Sequence, residues 1–248
     1  MIKFLSNKMN MAELQLLRKG AWSSTYRQDD ICIKKYNFFE PEAIKREILA
    51  SSVAKKTNIN TPFLIDHYIS EECSFCKFKY VEMESLSVKD IEKNIYLQNS
   101  ILSLLKQISS INWISSDKYW YEQLLFEFSR EFDYIALGER KNIYNSFLEN
   151  LNLAVFIHGD FTVENMGINN NEIVIYDFQH GSWGPKGWDK AYLAATNIRD
   201  KMGWLELNST EMRMAEVIAA VRWGRAVKKN LCSIKEREYV YQSWKHKW

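Results

Sequence analysis

Residues 154–179 read AVFIHGDFTVENMGINNNEIVIYDFQ, and the order of strand, loop and hairpin within them sets the class of fold. The apolar run Ala154–Ile157 predicts a short strand that ends at His158-Gly159-Asp160. Met166–Ile168 and Ile173–Tyr176 flank Asn169-Asn170-Asn171, residues that tolerate positive φ, so a hairpin is expected there. Asp160 and Asn165 then stand at the two ends of one loop, and the hairpin returns Asp177 beside them. Phosphoryl transfer requires such a set of parts: a carboxylate to accept a hydroxyl proton, and two oxygen ligands to hold Mg²⁺ against nucleotide phosphates. Asp160 is the candidate base, and Asn165 and Asp177 are the candidate metal ligands.

Upstream, the first third of the chain reads as strands around one helix. Leu14–Leu17, Ser24–Gln28 and Ile31–Tyr36 are β-prone runs broken by Lys19-Gly20-Ala21 and Asp29-Asp30. Pro41 suits a first helical turn, and Ala43, Glu47, Ala50 and Ala54 recur at helical spacing, which places Glu47 on the buried-looking face. After Thr61-Pro62, Phe63–Ser70 and Phe75–Met83 predict another strand pair with Cys73 near its turn. From Ser85 onward the pattern is helical, with Ile101, Leu105 and Ile108 forming one stripe. It is helical again after Asp189, where Asn208 and Glu211 resemble a capping box before Met212–Lys229.

Composition bounds the reading. The 248 residues are 46% hydrophobic, 26% charged and 14% aromatic, which excludes a disordered chain; with 9 Gly and 3 Pro, collagen-like and linker-rich architectures are excluded too. No run approaches the roughly eighteen apolar residues of a membrane helix. The start Met1–Asn10 carries Lys3 and Lys8 around Phe4 and Leu5, so a soluble, unprocessed cytoplasmic protein is expected, with no membrane or nucleic-acid partner. Four cysteines are too few for a disulfide framework, and Cys73-x-x-Cys76 has no second pair to complete a zinc site; incidental hairpin thiols are expected.

His158-Gly159-Asp160-x4-Asn165, Tyr176-Asp177-Phe178-Gln179 and Gly187-Trp188-Asp189-Lys190-Ala191-Tyr192-Leu193 together resemble the motifs of the aminoglycoside phosphotransferase and choline kinase-like family. The resemblance implies an α+β, bilobal protein-kinase-like fold, with a β-rich N-lobe over residues 1–83, a mainly helical C-lobe over 84–248, and ATP in the cleft, GTP being left open. It also implies that Asp189 braces the catalytic loop, while His158 is expected to be a hydrogen-bonded structural residue and His180 receives no role. Ile31-Cys32-Ile33-Lys34 resembles the kinase strand whose lysine contacts phosphates and pairs with a helical glutamate, the parts of Lys34 and Glu47. Strand alternation leaves Lys34 and Lys35 open, and the motif order favours Lys34, with Cys32 on the cleft face near adenine. The phosphate-covering stretch Lys19–Thr25 departs from the glycine-rich pattern by holding one glycine, with Ser23 and Ser24 as possible phosphate contacts. Adenine is expected along the backbone from Glu82 to Glu84.

The function expected is an ATP- and Mg²⁺-dependent kinase acting on a small-molecule hydroxyl: antibiotic, choline-like, thiamine-like or sugar. A protein kinase ranks lower because only Phe178–Trp188 separate Asp177 from Asp189 and no A-P-E follows. An inactive nucleotide-binding pseudokinase is the alternative of another class, and it ranks lower because every catalytic part is present. Trp183, Trp188, Trp204 and Trp223 are expected to pack in the core rather than to cage an acceptor. The formal net charge of +2 is a cancellation: residues 190–248 hold 12 Lys+Arg and 6 Asp+Glu, a net of +6, so the 33 basic and 31 acidic residues of the whole leave −4 for residues 1–189. That asymmetry points to an anionic or uncharged acceptor rather than a polycation.

Overall fold

The computed structural model describes residues 14–20, 22–112, 154–197, 199–228 and 232–244. The expected unprocessed start Met1–Asn10, Ala21 of the phosphate-covering stretch, the helical expectation over 113–153 and Lys229 lie outside the described residues.

The first strands are β1 (Gln15–Lys19), β2 (Ser23–Gln28) and β3 (Ile31–Tyr36), joined in sequence by tight turns; Asp29 takes φ 52° in the second. Helix α1 (Pro41–Lys56) starts with its proline in the first turn, and β4 (Leu64–Tyr68) and β5 (Phe75–Lys79) follow. Together they form one antiparallel sheet in the order β1-β2-β3-β5-β4. β5 stops at Lys79, short of the expected Met83. The chain then forms β6 (Glu84–Ser85), which pairs not with this sheet but with β8 (Met166–Asn169), where a helix had been expected from Ser85. The helix starts only at Ser87, whose side chain accepts from the Asp90 amide while Asp90 accepts from the Ser87 amide, opening α2 (Val88–Lys93). Asn94 caps α3 (Ile95–Ser109), whose buried stripe Leu97, Ile101, Leu104, Leu105 and Ile108 contains the three positions expected.

The decisive stretch folds as expected. β7 (Ala154–Ile157) leads to the loop, a 3₁₀ turn covers Val163–Asn165, and β8 pairs antiparallel with β9 (Glu172–Ile175) across Asn170 and Asn171, at φ 51° and 64°. β10 (Ser182–Pro185) was not expected; it pairs antiparallel with β7 although it reads Ser-Trp-Gly-Pro, because its pairing with the edge of β7 overrides a sequence poor in strand formers. Then come α4 (Trp188–Ala195), a 3₁₀ segment (Arg199–Leu205), α5 (Ser209–Lys228) and α6 (Ile234–Trp244). Asn208 and Glu211 form the reciprocal cap, at 2.9 and 3.0 Å, so α5 begins at Ser209, one residue past the cap, rather than at Met212.

Among the described residues the apolar side chains gather into a smaller and a larger core. The smaller holds Tyr36, Ile44, Cys76 and Phe78 between the five-stranded sheet and α1. The larger is built from α3, β7–β9, α4, α5 and α6, and it also takes Ala50, Ala54 and Ile59 from α1 and the turn after it. α1 therefore belongs to both. Gly181 is placed so that a Cβ there would lie 2.4 Å from that of Ala50, which allows the segment after Asp177 to press directly on α1. Trp188 is fully buried, and Trp204 and Trp223 pack partly buried on the larger core, in keeping with the packing role expected of them. Among the described residues no helix is long and apolar enough to cross a membrane.

Candidate active site

On β3 the strand's alternation sets Lys34 and Lys35 on opposite faces. Alternation puts Cys32, Lys34 and Tyr36 on one face, against α1, and Lys34 is buried there. Its Nζ lies 2.7 Å from Glu47 Oε2 and 2.6 Å from Asp177 Oδ1, with Gln179 Oε1 at 3.4 Å. Burial opposes the lysine's charge, but Asp177 and Glu47 outweigh it and hold its pKa above the ordinary range. Glu47, fully enclosed on α1, is pushed up by burial against the pull of Lys34, and it also accepts from the Tyr36 hydroxyl. Cys32, on the same face, is raised to about 11 by burial, so it is a neutral thiol.

Asp177 sits at the turn after β9 with φ 68°, a left-handed conformation rare for a residue with a side chain. Burial acts against its charge, while Lys34 and then His180 and His158 hold its carboxyl below the usual range. The 3₁₀ turn Phe178–His180 follows. Phe178 is buried against Phe156 and the His158 ring, with centroids 6.2 and 4.5 Å apart, which fixes the Asp177 turn to β7.

The loop after β7 is held from below. Asp189, buried in the first turn of α4, accepts from the His158 amide at 2.8 Å and from the Gly159 amide at 2.9 Å. The Asp160 amide approaches His158 Nδ1 at 3.3 Å, and Nε2 lies 2.9 Å from the Tyr176 carbonyl, so the ring ties the loop to the end of the hairpin. Asn165 turns its amide nitrogen to the Asp160 carbonyl at 2.9 Å and to Asp160 Oδ2 at 3.0 Å. The other carboxylate oxygen, Oδ1, accepts from Arg222 Nη1 at 3.1 Å. Burial works to raise the pKa of Asp160, but Arg222, His180 and the Tyr192 hydroxyl together leave it lowered. The Asp160 and Asp177 side chains remain 26% and 30% exposed, so both carboxylates are open to a ligand.

The structure thus brings Lys34, Glu47 and Asp177 into one ion-paired group, and Asp160 with Asn165 into another held by Asp189 and His158. It does not bring Ser23 and Ser24 into a loop: both open β2, and Ser24 is buried with its hydroxyl 3.4 Å from Asn37 Oδ1. The turn before them is instead braced by Asn37, whose amide side chain donates to the Gly20 carbonyl and whose backbone amide donates to that of Trp22. Glu82 and Glu84 lie where the five-stranded sheet passes to the β8–β9 hairpin. The Glu82 carbonyl accepts from Asn169 Nδ2 at 2.8 Å, and Glu84 pairs with Ile168. Sequence reading missed Tyr36, Tyr192 and Arg222. Tyr36 was within reach, two residues beyond Lys34 on the same strand face; Arg222 stands 62 residues after Asp160 in a helix with no local motif.

No protein-family model and no curated protein sequence matches the chain. Solved structures do match it. A choline/ethanolamine kinase family protein from Mesorhizobium loti superposes with a TM-score of 0.69 at 11% identity, covering 93% of this chain and 85% of that one. The amicoumacin kinase hAmiN, in complex with AMP-PNP, Ca²⁺ and Ami, gives 0.67 at 12% identity over 94% and 87%. The ADP-bound aminoglycoside phosphotransferase APH(2'')-Ib gives 0.63 at 17% identity over 95% and 94%. The chain has the protein-kinase-like α+β fold that these structures share.

Proposed function

We propose that the chain is an ATP- and Mg²⁺-dependent kinase that transfers the γ-phosphoryl group to a hydroxyl of a small molecule, with residues 1–83 and 84–248 holding the nucleotide between them. The observation that carries this reading is the Lys34 ammonium bridging Glu47 and Asp177, at 2.7 and 2.6 Å, with Asp160 and Asn165 held on the adjoining loop. The nucleotides bound in the similar amicoumacin kinase and aminoglycoside phosphotransferase, AMP-PNP and ADP, support the same reading.

In this reading Lys34, kept charged and aimed by Glu47, binds nucleotide phosphates, and adenine lies along the backbone of residues 82–84 beside the neutral Cys32. The β1–β2 turn covers the phosphates with backbone amides, the Ser24 hydroxyl being turned inward. Asn165 and Asp177 fit Mg²⁺: both offer hard oxygens, and Asn165 has committed its nitrogen to Asp160, leaving Oδ1 without a hydrogen bond to any described residue. The ion when bound neutralises charge on the phosphates. Asp160, ionised at neutral pH and oriented by Asn165, accepts the acceptor's hydroxyl proton as its oxygen attacks the γ-phosphorus, and the bond to the β-phosphate breaks with its electron pair leaving on ADP.

Asp160→Ala is expected to lower ATP consumption with a competent acceptor by about 10²-fold or more while AMP-PNP still binds. Unchanged turnover in that variant removes Asp160 from the base's role.

A further inference from the structure

Arg222 is a strongly charged group at the site to which the mechanism above gives no task. It projects from α5, and its Nη1 spans Asp160 Oδ1 at 3.1 Å and the Tyr192 hydroxyl at 2.9 Å, with the guanidinium carbon 5.4 Å from the centre of the Tyr192 ring. Nη2 and Nε make no hydrogen bond to any described residue, and the side chain is 36% exposed. Tyr192 on α4 and Asp160 on the loop therefore hold the fork at one corner, with Nη2 and Nε beside the candidate base and facing no partner among the described residues. The other acid acting on Arg222, Glu164, is on the exposed side of the 3₁₀ turn.

A guanidinium is a rigid planar fork whose adjacent donors match the two oxygens of a carboxylate or phosphate. The Nη2 and Nε donors, beside a base, give such a group a place next to the hydroxyl being phosphorylated, and the guanidinium charge repels an ammonium there. The excess of 12 Lys+Arg over 6 Asp+Glu in residues 190–248 has the same sign. We infer that Arg222 is the specificity residue of the acceptor site, binding an anionic oxygen group on the acceptor next to the hydroxyl whose proton passes to Asp160. This rests on the kinase reading. Arg222 forms and breaks no covalent bond; it places the acceptor so that the hydroxyl oxygen faces the γ-phosphorus.

The test uses the full chain, ATP with Mg²⁺, and matched acceptors: hydroxy acids against their methyl amides, and phosphorylated alcohols against the parent diols. The wild type is expected to favour the anionic members by about tenfold or more in kcat/KM. Arg222→Gln is expected to lose that preference through a raised KM for the anionic acceptor, with KM for ATP unchanged, and Arg222→Lys to keep part of it. A preference confined to the hydroxy-acid pairs assigns a carboxylate, and one confined to the phosphorylated pairs a phosphate. If the wild type favours neutral or cationic members with turnover that Asp160→Ala abolishes, this inference falls and the kinase reading stands. Equal loss on both members of a pair in Arg222→Gln, at an unchanged melting temperature, overturns it as well. A chain that binds neither AMP-PNP nor any acceptor loses both readings.

Discussion

Tyr36 holds Glu47 in place as Asp189 holds the loop after β7. Its hydroxyl donates to Glu47 Oε2, the same oxygen that receives Lys34, in a pocket closed by Cys76 Sγ at 3.6 Å. Burial and the neighbouring carboxylate push the phenol's pKa far up, so it remains a donor at every physiological pH. The thiol of Cys76 is likewise raised by burial, to about 12, and stays neutral. Tyr36→Phe leaves a buried carboxylate with one donor fewer. It is expected to cost about 1.5–3 kcal/mol in chemical denaturation and to raise KM for ATP, because Lys34 loses part of its anchor. If stability and KM are both unchanged, Tyr36 is not part of the nucleotide lysine's support. At this scale the site was legible wherever its residues are close in sequence: His158, Asp160 and Asn165 fall within one loop, and Asp177 within one hairpin of it. Contacts such as Arg222 with Asp160 join distant elements through tertiary packing, and no periodicity encodes them.

The loop after β7 depends on one backbone position that no side chain can occupy without strain. Gly159 takes φ 85°, and a Cβ there would lie 2.1 Å from the His180 carbonyl oxygen. Gly159→Ala combines a left-handed strain with a clash against backbone, so a loss of more than about 3 kcal/mol is expected, read as a lowered melting temperature or loss of soluble protein. A variant melting within a degree or so of wild type requires the loop to have another conformation. Hydrophobic period and turn chemistry made β3, α1, β7 and the β8–β9 hairpin readable, since each carries its own local pattern. β6 and β10 were not readable. A two-residue strand has no period, and Ser182–Pro185 carries the glycine and proline of a turn; both exist because an edge elsewhere, of β8 or β7, offers unpaired backbone groups.

Across the whole molecule, polar ties among the described residues join the sheet and the turns beside it to the β8–β9 hairpin and its flanks: Lys34 with Asp177 and Gln179, Asn60 with the Ile175 amide and Glu172, Asn169 with the Glu82 carbonyl, and Arg18 with the Glu164 carbonyl at 3.5 Å. A nucleotide gripped from both sides adds ties that only the folded chain has. AMP-PNP with Mg²⁺ at about 100 times its Kd is expected to stabilise the protein by about 2.7 kcal/mol, seen as a raised melting temperature. Lys34→Ala should remove most of that rise, and a full rise in the variant places the nucleotide elsewhere. α1 adds a mechanical consequence. Its first half seals the small core through Ile44, while Ala50 and Ala54 seal the large one and Ala50 meets Gly181 at close quarters. Swinging the helix outward to withdraw Glu47 from Lys34 would open two cores at once, so the ion pair has no inexpensive off position. The helix is thereby fixed to both cores, which keeps Glu47 at Lys34.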